Sequence, residues 1–353
     1  MVFVGGPRQV GKTTIAKEIE GGRGGYLSWD VPSHRKAVLR RSLPDAPLLV
    51  FDEIHKYRRW RNYLKGVFDE LGDRRQILVT GSARLDLYRF GGDSLQGRYF
   101  YLRLHPLSFA EIGGTTQGDL EQLFRLGGFP EPFLGGSETG ARRWSNHYRD
   151  RLVREDIASL ENVRDLGSME NLLLALPERV AAPLSINALR EELELNHQTV
   201  SRWLDIYEKM YAIFRLMPFG APTLRAVKKE RKHYHMDWTL VDDAGPRFEN
   251  LVACHLLKWV HYAVDTEGRQ VELRYFRDHD RREVDFVIEE KRRPIVLVEC
   301  KLSAGPTSPS LRYLAARFPK ARAYQVHYHA APARETREGV ALWPATRFLK
   351  GLV

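Results

Sequence analysis

Residues Gly6 to Thr14, Gly-Pro-Arg-Gln-Val-Gly-Lys-Thr-Thr, constrain this chain more than any other stretch. An apolar strand-like run, Met1-Val-Phe-Val4, leads into them, and a helical spacing of Ile15, Ala16 and Ile19 follows. That is GxxxxGK[ST] in the strand–loop–helix setting the pattern requires. Glycines let the loop Gly6, Pro7, Arg8, Gln9, Val10 and Gly11 wrap phosphates with the backbone N–H groups of its non-proline residues, and the helix N-terminus adds its positive dipole end. Lys12 is expected to neutralise β- and γ-phosphates, Thr13 to ligate Mg²⁺, and Thr14 to complete the loop. The implied ligands are ATP and Mg²⁺.

A second apolar run, Leu48-Leu-Val-Phe51, ends in Asp52-Glu53. Acids at the end of a buried strand beside such a loop suit metal holding by Asp52 and polarisation of an attacking water by Glu53. A third strand, Gln76 to Thr80, ends in Gly81-Ser82. Thr80 or Ser82 is placed either to read a γ-phosphate or simply to turn the chain. Between these runs Trp60, Tyr63, Leu64, Val67, Phe68 and Leu71 repeat at helical spacing and predict one buried helix face. Arg98 precedes a β-rich run and is either an arginine finger, acting within the chain or from a neighbouring copy, or a structural ion pair.

Together the loop, Phe51-Asp-Glu-Ile-His55, Thr80-Gly-Ser82, Gly97-Arg98 and His105-Pro-Leu-Ser-Phe-Ala-Glu111 resemble a family of prokaryotic AAA-type ATPases that join an ATPase core to a C-terminal domain of unknown function. The resemblance implies an ATP-binding core with Lys12, Thr13, Asp52 and Glu53 in the roles above. Residues 117–160 read as helical with a break at Gly127-Gly-Phe-Pro130, and the resemblance makes them the helical lid of the ATPase.

Ser185 can cap a helix reaching Leu193. A polar turn, a second helix over Gln198–Tyr211 and a strand-like Ala212–Pro218 complete the order of a winged helix-turn-helix. Its second helix would present His197, Gln198, Thr199, Ser201 and Arg202 to a major groove. The alternative is a scaffold joining the end domains.

Near the C-terminus, a helix over Arg247–Trp259 carries Glu249 in its first turns. Glu283–Ile288 and Pro294–Lys301 read as paired strands. Alternation puts Glu283 and Asp285 on one face and Glu299 with Lys301 on one face. A hairpin centred on Arg292 sets Asp285 opposite Glu299, with Cβ atoms about 4.5–5.5 Å apart. Two carboxylates at that spacing suit one Mg²⁺, and without a counter-ion they repel, so a metal, a lysine or a raised pKa is required. Asp285…Glu299-x-Lys301 resembles the PD-(D/E)xK nuclease superfamily. By that resemblance Asp285 and Glu299 ligate Mg²⁺, Glu249 assists, and Lys301 orients or activates water. The alternative is an inherited nuclease fold in which Lys301 pairs with an acid.

The predicted fold class is therefore multidomain α/β: a P-loop NTPase parallel sheet (residues 1–115), a helical lid (116–164), a winged-helix middle (165–222) and an α/β restriction-endonuclease-like domain (223–353). Lys and Arg total 55 against 45 Asp and Glu, a net charge of +10 that favours polyanions. Expected partners are ATP, nucleic acid through the winged helix and C-terminal domain, and further copies of the chain, with no membrane. No apolar run approaches the ~18–20 residues of a membrane span, and no secretory leader pattern opens the sequence. Cys254 and Cys300 each sit in apolar runs, so buried thiols in a reducing cytoplasm are expected. Three functions follow: an ATP-driven switch whose nuclease-like domain only binds, an ATP-regulated Mg²⁺-dependent nuclease, and a non-enzymatic DNA-binding regulator with structural ATP.

Overall fold

Leu48-Leu-Val-Phe51 carries no polar residue because both faces of its strand are covered. In the computed structural model, which describes residues 1–81, 95, 97–158, 165–220 and 231–352, this run is a fully buried strand, β3 (Leu48–Asp52). It belongs to a sheet with β1 (Val2–Gly5), β2 (Tyr26–Ser28), β4 (Gln76–Thr80) and β5 (Phe100–Arg103), in the order β2-β3-β4-β1-β5. Every neighbouring pair is parallel. Parallel sheets need helices on their faces, supplied here by α1 (Lys12–Glu20), α2 (Pro32–Arg40) and α3 (Trp60–Leu71). The predicted face of α3 is inside: Trp60, Tyr63, Leu64 and Val67 are buried, with Phe68 and Leu71 packed alongside. Each such apolar side chain contributes about 1.5–3 kcal/mol over exposure.

This sheet and its helices form one compact unit, Met1–Pro106; Leu107–Val353 form a second. Among the described residues the second contains the helices α4 (Gln117–Leu126), α5 (Pro130–Gly135), α6 (Glu138–Arg151), α7 (Leu166–Ala175), α8 (Ile186–Glu192) and α9 (His197–Lys209), then β6 (Ile213–Pro218), β7 (Lys232–His235), α10 (Ala244–Glu267), β8 (Val271–Arg277), β9 (Glu283–Glu290), β10 (Arg293–Lys301), α11 (Pro309–Arg317), β11 (Arg322–His327), β12 (Arg334–Glu335), β13 (Val340–Pro344) and α12 (Ala345–Lys350). Its strands form a mixed sheet in the order β12-β13-β11-β10-β9-β8-β6-β7.

Helix, turn, helix and strand follow one another as the sequence predicts. Ser185 caps α8 through the Ala188 N–H, and Asn196 caps α9 through the Thr199 N–H. The strand does not make a free-standing wing. β6 pairs antiparallel with β7 and parallel with β8, so the expected division at 222/223 falls between two strands of one sheet. Its alternation of Ile213, Phe214, Leu216 and Pro218 as buried positions supplies the reason. The helices expected as an ATPase lid are likewise tied into the second unit. Trp238 Nε1 donates to Leu123 O at 3.2 Å, and Ser145 Oγ to Asp237 Oδ2 at 2.6 Å.

The hairpin of β9 and β10 turns on Lys291 and Arg292, both with positive φ (49° and 65°). Its first pairs, Arg293↔Glu290 and Pro294↔Glu289, lie one residue off the predicted register. A bulge between Pro294 and Val296 restores it, giving Val296↔Ile288, Leu297↔Val287 and Val298↔Phe286. The next residues on are Asp285 and Glu299. Among the described residues no helix is long and apolar enough to cross a membrane.

Candidate functional site

Strand register builds the first site. Val4 pairs with Thr80, Thr80 with Asp52, and Asp52 with Ser28, so the C-terminal ends of four parallel strands lie in one row. The Gly6–Gly11 loop springs from this edge. Gly6 has φ +144°, and a Cβ there would meet Leu104 O at 2.2 Å, so no other residue fits. Gly11 (φ 99°) precedes α1, and no side chain caps the helix. Its first N–H groups are left for a ligand.

Lys12 is buried, and Nζ donates to Gly6 O at 3.0 Å and to Pro7 O. The loop carbonyls hold the ammonium at the mouth of the loop. Pro7 and Val10 are buried, Arg8 and Gln9 half-buried, and Thr13 and Thr14 exposed. Three hydroxyls converge on buried Asp52. Thr13 Oγ1 donates to Oδ2 at 2.9 Å, Tyr26 OH to Oδ2 at 2.6 Å, and Thr80 Oγ1 to Oδ1 at 2.6 Å. All three of these donors are neutral hydroxyls. The donor set therefore fits a magnesium nucleotide: a carboxylate and a hydroxyl already in contact, below a glycine cradle and an uncapped helix.

Glu53 follows with φ 58°, unusual for a residue with a side chain, and its N–H donates to Thr80 O at 3.0 Å. Burial raises its pKa above the ordinary glutamate value, and the Asp52 charge adds to this against the pull of Lys56. Lys56 Nζ lies 3.3 Å from Glu53 Oε2 and 2.6 Å from Asp30 Oδ2. Arg98 Nε pairs with Asp69 Oδ1 at 3.0 Å, the structural alternative of the sequence reading within this chain. Ser82 lies outside the described residues. The hydroxyl that sequence reasoning missed is Tyr26; a tyrosine opening a short buried strand gives no signal beyond β-propensity.

The second site lies in the second unit. Lys232 and Tyr234 alternate with His233 and His235 along β7, so the first two share a face. Lys232 is wholly buried. Its Nζ lies 2.6 Å from Glu283 Oε1, 3.2 Å from Glu249 Oε1 and 3.8 Å from Asp285 Oδ1. Tyr234 OH donates to Glu249 Oε1 at 2.7 Å, and the Cys300 N–H to Asp285 Oδ2 at 2.8 Å. Lys301 Nζ pairs with Glu299 Oε1 at 2.8 Å, while Glu299 Oε2 is buried without a hydrogen-bond partner.

One ammonium cannot neutralise three carboxylates, and protons take up the surplus. Burial, then the Asp285 charge, pushes Glu249 up to about 8 against the pull of Lys232. Burial also raises Asp285. Glu299 is pushed up to about 7 by burial and then Asp285, against Lys301. Burial alone would depress Lys232, but the carboxylates outweigh it and hold it above the usual lysine value.

The predicted metal set of Glu249, Asp285 and Glu299 is not what assembles. Glu249 and Asp285 meet on Lys232, Glu299 meets Lys301, and no group of three His, Cys, Asp or Glu among the described residues is placed to hold a metal. The residues present do not fit Mg²⁺. The sequence requires a metal, a lysine or a raised pKa here; the alternative of Lys301 paired with an acid is met at Glu299, and Lys232, the lysine near Asp285, was not foreseen. On α9, His197, Gln198 and Arg202 are exposed, but Glu191, Glu192 and Glu194 are exposed just ahead of them. Those carboxylates oppose a polyanion at the helix start.

Residues 1–113 match the family model described as an AAA domain. Residues 117–244 and 244–348 match models described as domains of unknown function, DUF8612 and DUF4143. The amino-terminal part is thus an AAA-type P-loop ATPase domain. An uncharacterized protein of Mycobacterium bovis is 24% identical over 328 residues, spanning 88% of this chain and 73% of its own length. Another, of Haemophilus influenzae, is 24% identical over 275 residues, spanning 71% of this chain and 65% of its own. Among solved structures, a Walker-type ATPase of Pyrococcus abyssi shares 14% identity at a TM-score of 0.38, covering 68% of this chain and 89% of that one. The Aeropyrum pernix ORC1 protein in complex with DNA shares 13% at a TM-score of 0.33, covering 71% and 86%.

Proposed function

We propose that this chain is an ATP-driven switch. The amino-terminal unit binds and hydrolyses ATP with Mg²⁺, and the nucleotide state governs a nuclease-like C-terminal unit that binds rather than cuts. The observation that carries the reading is the convergence of Thr13, Tyr26 and Thr80 on Asp52 below the glycine loop.

In this reading the loop N–H groups and Lys12 hold the β- and γ-phosphates, and Lys12 exchanges the Gly6 and Pro7 carbonyls for phosphate oxygens. Thr13 and Asp52 would hold Mg²⁺, which supplies charge neutralisation on the phosphates when bound. Thr80 and Tyr26 fix the Asp52 carboxylate. Glu53, raised by burial, accepts a proton from the attacking water, and Lys56 sets its position. Nucleic acid is the partner class that the net charge of +10 of the whole chain favours.

A second reading, Mg²⁺-dependent phosphodiester cleavage by Asp285, Glu299 and Lys301, has one observation on its side: the buried, unpartnered Oε2 of Glu299. Phosphate release and cutting of plasmid, linear DNA and RNA, followed in the same tubes with Mg²⁺ and ATP, test both. The switch predicts phosphate release that falls by about 10²-fold or more in Lys12→Ala, stays unchanged in Lys301→Ala, and comes with no cutting. No release from the wild type sinks it. Cutting that Lys301→Ala abolishes establishes the nuclease.

A further inference from the structure

Three carboxylates from two elements point at one spot in the second unit, as they would around a divalent cation. A lysine already fills it. Glu249 comes from α10, Glu283 and Asp285 from β9, and Lys232 from β7. Glu283 and Glu249 each present an oxygen within hydrogen-bond distance of Nζ, at 2.6 and 3.2 Å, and Asp285 Oδ1 completes the ring as an ion pair at 3.8 Å. The other claims on these groups are also met within the chain. Tyr234 OH shares the Glu249 oxygen, and the Cys300 N–H takes the second Asp285 oxygen.

Nor is Lys232 a surface residue folded inward by chance. It has no exposed area although β7 ends the sheet. Its backbone is held by Leu216 on β6 and by a bridge to Pro183, and Nζ lies 5.7 Å from the centre of the Tyr275 ring. Mg²⁺ would need oxygen ligands at about 2.0–2.1 Å in octahedral array, and the ammonium stands in that volume.

We propose that the Lys232 ammonium is a built-in substitute for a divalent cation, which closes this carboxylate centre to metal and makes the second unit a metal-independent module. The inference deepens the proposed reading that this unit binds without cutting. It does not depend on ATP hydrolysis, so phosphate release is unaffected by its success or failure.

The test has two arms on the full chain, both without nucleotide. In the first, equilibrium dialysis against Mn²⁺ should show no wild-type site that Asp285→Asn removes. In the second, Lys232→Ala should melt well below the wild type, and rising Mn²⁺ should raise its melting temperature by several degrees while leaving the wild type unmoved. Bound Mn²⁺ in the wild type that disappears in Asp285→Asn overturns the proposal. So does a folded Lys232→Ala protein that gains no Mn²⁺ site. If that variant does not fold, the wild-type dialysis decides alone.

Discussion

Two buried acidic centres in this chain each contain a lysine, and they use it in opposite ways. In the amino-terminal unit Lys12 is held by the Gly6 and Pro7 carbonyls, while neutral hydroxyls gather around Asp52. Thr13, Tyr26 and Thr80 donate to Asp52 through hydroxyls, which a bound magnesium nucleotide can displace. In the second unit Lys232 sits among its carboxylates, and the excess charge is taken up by protons. A buried carboxylate always needs a partner. The kind of partner, neutral donor or fixed cation, separates a site built to receive a charged ligand from one that satisfies itself.

The largest effect that can break this comparison is on stability. Lys232→Met leaves Glu249, Glu283 and Asp285 without their cation and should cost about 3–5 kcal/mol, read by urea unfolding. Lys12→Met removes a donor to the Gly6 and Pro7 carbonyls and should cost about 1 kcal/mol. Equal losses would mean that the two lysines are not differently used.

Catalysis comes next. Glu53→Gln should lower phosphate release by about 10²–10⁴-fold without changing ATP binding or the melting temperature. Unchanged release would remove Glu53 from the chemistry.

Third is pH. Glu249 and Glu299 have folded-state values of about 8 and about 7, raised above an unfolded value near 4.5. Groups raised on folding stabilise while they hold their proton, fully below the unfolded value, and lose that contribution as pH climbs through the folded one. Stability of the second unit should therefore fall as pH rises toward 8, and Glu249→Gln should flatten the curve. A wild-type curve already flat between pH 6 and 8, or rising there, would contradict the proton uptake at this centre.

The smallest expected effect is at Arg98. Its pair with Asp69 is partly exposed, so Arg98→Ala should cost at most about 1 kcal/mol and change phosphate release little. A loss of about 10³-fold or more would instead make it an arginine finger supplied to a neighbouring copy.

The same contrast explains what the sequence discloses. The first site is written locally: strand, loop and helix are contiguous, and the Asp52-Glu53 pair ends a run apolar enough to be an inner strand. Only Tyr26, delivered by sheet order, escaped. The register of the hairpin was also legible as far as Val298↔Phe286, although the simple centre arrived at it without the bulge after Pro294 that in fact sets it. Lys232 was not legible. It closes the run Lys228-Lys-Glu-Arg-Lys232, which by composition is a solvated charged stretch. Its surroundings come from β6, β8 and α10, brought to it by the fold and not by the charged residues beside it in the chain. The pairing of β6 was hidden for a related reason: alternation identifies it as a strand and cannot say that it joins both β7 and β8.

Manganese bound to the full chain, followed by electron paramagnetic resonance with and without a non-hydrolysable ATP analogue, tests the contrast most directly. The account predicts one bound Mn²⁺ per chain only when nucleotide is present, lost in Asp52→Ala and retained in Asp285→Asn. A nucleotide-independent signal that Asp285→Asn removes, or a nucleotide-dependent one indifferent to Asp52→Ala, would contradict it.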